Sequence, residues 1–264
     1  MDDLDADRLS EELARREARL GRPLVVVEST TSTNDDAKRA AESGAPAGSA
    51  FIANAQTHGR GRLGRSWHSP PGDNLYVSFV LRPAAALALD VRRAPLVTLA
   101  AGLAVADAIA PLVPGANVGL KWPNDVLVDD RKVAGILTEA HLGTGASDWI
   151  VIGIGINVRT RAFPTEIAAR ATSLALAGAG APDRGALFVE LASALSFRVG
   201  ELHASAASII DAFAARDALR ERSITVDGAP ATALGIADDG ALRIRRADGT
   251  EARILAGDVQ LRTG

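Results

Sequence analysis

Apolar positions along the chain change their period several times, and each change marks an element. Residues 4–19 are charged throughout, with Leu4, Leu9, Leu13 and Leu20 as a sparse stripe, the spacing of an amphipathic helix. A short strand at Leu24–Val27 leads into Ser29-Thr30-Thr31-Ser32-Thr33-Asn34 and then an Ala-rich helix over about Asp35–Ala41. Ser32 or Thr33 is a natural N-cap for it. A strand at Ala50–Ala55 precedes a long Gly- and Arg-rich loop, Thr57–Asp73. Asn74–Leu81 reads as a buried strand and Pro95–Ala110 as a strongly apolar helix with Pro just inside its start. Strands are expected at Val118–Lys121, Asp125–Val128, Lys132–His141 and Trp149–Asn157, with a turn at Asp129–Asp130.

Arg159–Arg184 read as loop and short helix, and helices follow at Gly185–Ala204 and Ser208–Arg216. Beyond Arg216 the texture changes. Asp227–Gly228, Asp239–Gly240 and Asp248–Gly249 punctuate short alternating segments, SITV, ATALGI, ALRIRR and EARIL. Asp-Gly favours hairpin turns because Gly, and to a lesser degree Asp, tolerates positive φ. The pattern divides the chain into an α/β domain, residues 1–216, and a small β-barrel, residues 217–264.

The 264 residues are 47% hydrophobic and 23% charged, enough for a sizeable core. The formal net charge of −3 provides no overall basic field for nucleic acid. The absence of cysteine excludes disulfide scaffolds, Cys-ligated metals and thiol nucleophiles. The acidic first 20 residues are wrong for a signal peptide, and no apolar run approaches the ~20 residues of a membrane helix. A cytoplasmic protein, associated with neither membrane nor nucleic acid, is the expectation. Of the 29 basic residues only Lys38, Lys121 and Lys132 are lysines, and two of them fall within twelve residues. Lysine is a compact point charge on a flexible stem, which suggests a site that needs one.

Three segments can carry chemistry. Gly59-Arg60-Gly61-Arg62-Leu63-Gly64 matches G-x-G-x-x-G, but Arg65 through Gly72, with two prolines, cannot open the helix that a dinucleotide fold requires. Arg60, Arg62 and Arg65 between glycines can instead close over an anion, although alone the loop is equally a solvated basic segment. Lys121-Trp122-Pro123-Asn124-Asp125 gathers an ammonium, an amide and a carboxylate on extended backbone. Such a cluster is costly in a core and useful at a ligand rim. Lys132 and Gly135 follow, and Gly153-Ile154-Gly155-Ile156-Asn157 ends a buried strand in a form that admits a flat ligand against backbone.

These motifs, STN at 32–34, GRGRLGRSWHSPPGDNLYVSF from 59, KWPNDVLVDDRKVAGILTE from 121 and GIGIN from 153, resemble those of biotin protein ligases over about residues 24–160. The resemblance implies an α/β (α+β) catalytic domain related to class II aminoacyl-tRNA synthetases, with a mixed sheet, plus a C-terminal SH3-like β-barrel. About 23 residues precede the first strand, so the monofunctional type, without a helix-turn-helix repressor domain, is expected.

The implied reaction uses ATP and Mg²⁺ to convert biotin to biotinyl-5′-AMP, then acylates one lysine of a biotin carboxyl carrier protein domain. The implied catalytic set is Arg60, Arg62, Lys121, Asp125 and Lys132, with Asp125 orienting the acceptor amine. Biotin is expected against Ser32, Thr33, Asn34, Gln56, Gly59, Arg60, Gly61, Arg62, Lys132 and Gly135. The adenylate is expected against Arg62, Arg65, Trp67, Asn124, Lys132 and Asn157. No protein metal cage is expected, Mg²⁺ riding on the triphosphate, and residues 57–73 are expected to order over the ligand. A lipoate-type ligase, an inactive ligand-binding relative and a biotin-responsive repressor are the competing readings.

Overall fold

A computed structural model describes residues 3–82, 94–141 and 148–261. Seven strands form a mixed sheet: β1 (Leu24–Thr30), β2 (Ala50–Gln56), β3 (Leu75–Leu81), β4 (Val118–Lys121), β5 (Asp125–Val128), β6 (Arg131–His141) and β7 (Trp149–Ile156), in the order β1-β2-β3-β7-β6-β5-β4. Only β1 and β2 are parallel, joined through α2 (Thr33–Glu42), as a parallel pair requires a crossover.

The sheet has two different faces. Leu75, Val77, Phe79 and Leu81 of β3 and Ile150, Ile152, Ile154 and Ile156 of β7 belong to the large core, together with α3 (Ala94–Ile109) and α5 (Arg184–Ala204). Phe79 stacks on Phe188 of α5 with ring centroids 6.1 Å apart. On the other face Val80, Trp149 and Val151 pack under Ala37 and Ala41 of α2. Further along the same face Gly153 and Gly155 of β7 and Gly135 of β6 carry no side chain, leaving a strip of bare backbone beside Tyr76 and Leu137. The two-residue period of a strand thus builds a core on one side and an open floor on the other.

Pro95–Leu112 is long and apolar enough to span a membrane, contrary to the expectation that no run approaches that length. It lies mostly buried between the sheet and α5, and a helix apolar on all sides is equally suited to that place. The first helix, α1 (Ala6–Arg15), is shorter than the leucine stripe suggests, because the chain turns at Glu17, whose φ is 53°. Leu4 and Leu20 are nevertheless buried. After the short α4 (Thr165–Ala168) and α5, the last helix, α6, runs over Ala206–Ala214.

The C-terminal strands β8 (Ser223–Val226), β9 (Ala229–Ile236), β10 (Leu242–Arg246), β11 (Glu251–Ile254) and β12 (Val259–Leu261) form an antiparallel sheet ordered β11-β10-β9-β8-β12. The sheet is open rather than a closed barrel, since β11 and β12 are its edges and β12 offers only three residues for pairing. The C-terminal sheet and the segment leading into it both meet the larger sheet at β4 and the turn after it. The Trp122 indole donates to the Gly240 carbonyl at 2.9 Å, and Leu120 donates its amide to Arg216 and accepts from Ala218 (2.7 and 2.9 Å). Trp122 is therefore a core residue, although its neighbours in sequence line the rim.

Candidate active site

The open floor lies beneath a cavity of about 530 Å³, within the usual size range of small-molecule sites. Gly135 and Gly155 face each other across β6 and β7. A β-carbon on Gly155 would stand 2.5 Å from the Trp67 indole nitrogen, and one on Gly153 would overlap the Asn34 amide oxygen at 1.9 Å. Glycine is needed at both because a side chain has to lie flat on the strand backbone. The Trp67 nitrogen is buried with no hydrogen-bond partner.

One end of the cavity is a neutral polar cluster. Ser32, Thr33 and Asn34 begin α2 and are buried. Gln56 accepts the amide and hydroxyl of Thr33 (2.9 and 3.2 Å) and donates to Ser69 at 3.0 Å. The Ser78 hydroxyl lies 2.8 Å from that of Thr33 and 2.6 Å from the Asn34 carbonyl oxygen. Asn34 donates to the Leu137 carbonyl and to Glu139.

The other end is charged. Lys132 Nζ lies 2.5 Å from Asp125 Oδ1 and 5.2 Å from the Trp67 ring centroid, and Lys121 Nζ lies 3.2 Å from Asp125 Oδ2. Burial opposes ionisation of Asp125, but Lys132 and Lys121 outweigh it and hold the carboxyl below its ordinary value. Arg62 approaches Asn124 Oδ1 at 3.4 Å, and burial pushes its guanidinium below its usual range. Arg65 reaches across to Asp258 at 2.7 Å. Asp258 is held down to about 2 by that hydrogen bond and by Gln260.

The Gly-Arg loop is a tight hairpin, closed by Gly61 N–H to Arg65 O at 2.6 Å and Trp67 N–H to Gly59 O at 2.8 Å. Every site residue named from sequence lines the cavity except Gly59. Gly59 sits behind the wall, where a β-carbon would strike Ser69 and the Trp67 carbonyl. Asn157 lines the cavity with its amide already committed to the Thr172 carbonyl at 2.9 Å. Sequence reasoning missed Ser78, Glu139, Lys38 and Asp258. A hydroxyl inside the wholly buried LYVSFVL strand and an acid closing VAGILTEA were usable signals for the first two. Among the described residues no cluster of three or more His, Asp or Glu side chains could hold a metal.

The sequence profile of the biotin/lipoate A/B protein ligase family matches residues 26–157, and that of the biotin protein ligase C-terminal domain matches residues 224–262. The bifunctional ligase/repressor BirA of Bacillus spizizenii is 32% identical over 92% of this chain and 75% of its own length. The biotin–[acetyl-CoA-carboxylase] ligase of Mycobacterium tuberculosis is 42% identical over 74% of each chain. The biotin protein ligase of Aquifex aeolicus, solved with biotin and ATP, superposes with a TM-score of 0.75 at 30% identity, covering 92% of this chain and all of the other. By sequence over most of its length, by fold and by its C-terminal domain, the chain belongs to the biotin/lipoate A/B protein ligase family.

Proposed function

We propose that this protein is a biotin protein ligase: it activates biotin with ATP to biotinyl-5′-AMP and transfers the biotinyl group to one lysine of a carrier domain of a biotin-dependent carboxylase. The observation that carries the reading is a single cavity with a neutral hydrogen-bonding end and a cationic end, joined by a floor of strand backbone. A ureido ring has N–H donors and a carbonyl acceptor, which suit Ser32, Thr33, Asn34 and Gln56. The dithiolane of lipoate has no such groups and would gain no hydrogen bond from that end of the cavity, which favours biotin.

In the first step a biotin carboxylate oxygen attacks the α-phosphorus of ATP and the bond to the β-phosphate breaks, releasing pyrophosphate. Two anions have to meet, so Arg62 and Lys132 serve as fixed cations facing the charge that builds in transfer. Asp125 has both oxygens engaged by the chain's own lysines, and its role is to hold Lys132 in place rather than to receive the acceptor amine. Trp67, Asn124 and Arg65 line the nucleotide end. Mg²⁺ accompanies the triphosphate and offsets its charge. In the second step the neutral acceptor amine attacks the acyl carbon, an amide forms and AMP leaves. The Gly-Arg loop shields the mixed anhydride from water. Consumption of ATP fits a cytoplasmic enzyme.

The test is exchange of labelled pyrophosphate into ATP. Exchange that depends on biotin, and is not supported by lipoate, is expected. Exchange with lipoate alone, or none with either, would overturn the reading.

A further inference from the structure

Arg60 stands in the loop expected to bind anions, yet its guanidinium is already neutralised. Its Nη2 lies 2.8 Å from Asp35 Oδ1 and 2.8 Å from Glu139 Oε2. Lys38 Nζ lies 3.0 Å from the same Asp35 oxygen and 3.0 Å from Glu139 Oε1. Two cations and two anions from α2, β6 and the loop therefore close a ring of alternating charge with no net charge. Glu139 Oε2 also accepts the Asn34 side-chain amide at 2.8 Å. The carboxylate oxygen that fastens the loop is thus the one that sets an amide over the Gly153 floor. Arg62 differs, having no carboxylate within ion-pairing distance among the described residues.

We propose that Glu139 is a positioning residue that anchors the Gly-Arg loop through Arg60 and orients Asn34, and that Arg60 is the loop's anchor rather than an anion ligand. The two arginines of Gly-Arg-Gly-Arg then divide the work, Arg60 fixing the loop and Arg62 presenting charge. Glu139 links the two ends of the ligand, because loosening it frees the lid and the polar cluster together. This inference rests on the proposed ligase reading for its kinetic consequence but not for the anchor itself.

The test is a double-mutant cycle on Arg60→Ala, Glu139→Gln and the pair together, read by trypsin cleavage after Arg65 in the otherwise unmodified protein and by the KM and kcat for biotin activation. Each single variant is expected to speed cleavage about fivefold, the scale of an ion-pair network near the surface, with the pair no faster than either single variant. KM for biotin rises while kcat changes less, and Glu139→Asp restores part of the parent behaviour. Arg62→Gln leaves cleavage after Arg65 at the parent rate and lowers kcat. Unchanged cleavage in the single variants, or effects that multiply in the pair, would overturn the anchor. A kcat loss in Arg60→Ala equal to that of Arg62→Gln, with cleavage unchanged, would make Arg60 an anion ligand instead. Cleavage requires no substrate, so the anchor is judged even if the protein fails to activate biotin.

Discussion

Trp67 lies directly on Gly155, close enough that a β-carbon on the glycine would stand 2.5 Å from the indole nitrogen. Asn34 bears the same relation to Gly153, two residues earlier on the same face of β7. The alternation of a single strand therefore seats one side chain at each end of the cavity.

The two glycines should separate the two substrates. Adding a methyl group where the neighbour has little room costs about 1–3 kcal/mol. Gly153→Ala should raise KM for biotin about tenfold or more, because Asn34 is fixed by Ser78, Leu137 and Glu139. Gly155→Ala should act mainly on KM for ATP through Trp67. Steady-state kinetics with each substrate varied in turn checks this, and equal effects on both substrates from either variant would contradict it.

Lys132→Ala should keep the fold, by circular dichroism, and lower adenylate formation by about 10²–10³, the usual loss for one preorganised charge donor. Lys132→Arg should not restore it, since a planar fork does not replace a point charge wedged between Asp125 and the Trp67 ring. Single-turnover adenylate formation measures both, and parent-like rates in Lys132→Ala would remove its assigned role.

Much of this was legible in the sequence, and the failures have physical causes. Strands β4 and β5 coincide with the expected Val118–Lys121 and Asp125–Val128 because tight turns bound them, and Asp129 and Asp130 both adopt positive φ between β5 and β6. The Ala-rich helix α2 begins at Thr33 rather than Asp35, with Ser32 at the N-cap position but making no capping bond. The Ser32 side chain is instead buried at the cavity. Sequence periodicity assigns each strand a face but not the partner opposite it, so the Glu139–Arg60 and Arg65–Asp258 pairs, 79 and 193 residues apart, stayed hidden. Asp-Gly turns mark out the C-terminal meander, whereas closure depends on whether β11 and β12 meet, which no turn signal reports.

The Arg65–Asp258 bond should make the contact between loop and C-terminal sheet sensitive to acid. Asp258 titrates near 2 in the folded protein, below its ordinary value of 3.8. A depressed carboxyl stabilises fully above its unfolded value, and the contribution is lost as pH falls through the folded one. The melting temperature of the parent should exceed that of Asp258→Asn above about pH 4 and converge with it towards pH 2. The pair is exposed at Arg65, so added salt should shrink the difference. A difference that grows on acidification would contradict the assignment.

Asp3 and Arg184 should matter to stability alone. Arg184 is buried, with its guanidinium held by Asp3 at 2.7 Å and by Asn54 at 2.8 Å. Removing one partner strands a buried charge, so Asp3→Ala should cost about 3 kcal/mol in denaturant unfolding. KM values for biotin and ATP should stay at parent levels. A loss of substrate affinity without loss of stability would contradict this.

The most direct test of the whole account is to incubate the purified protein with biotin, MgATP and a biotin carrier domain, and to weigh the carrier by intact-mass spectrometry. A gain of one biotinyl group is expected, and it disappears when biotin or ATP is withheld or when the acceptor lysine is replaced. A carrier of unchanged mass, with no biotinyl-5′-AMP formed, would contradict it.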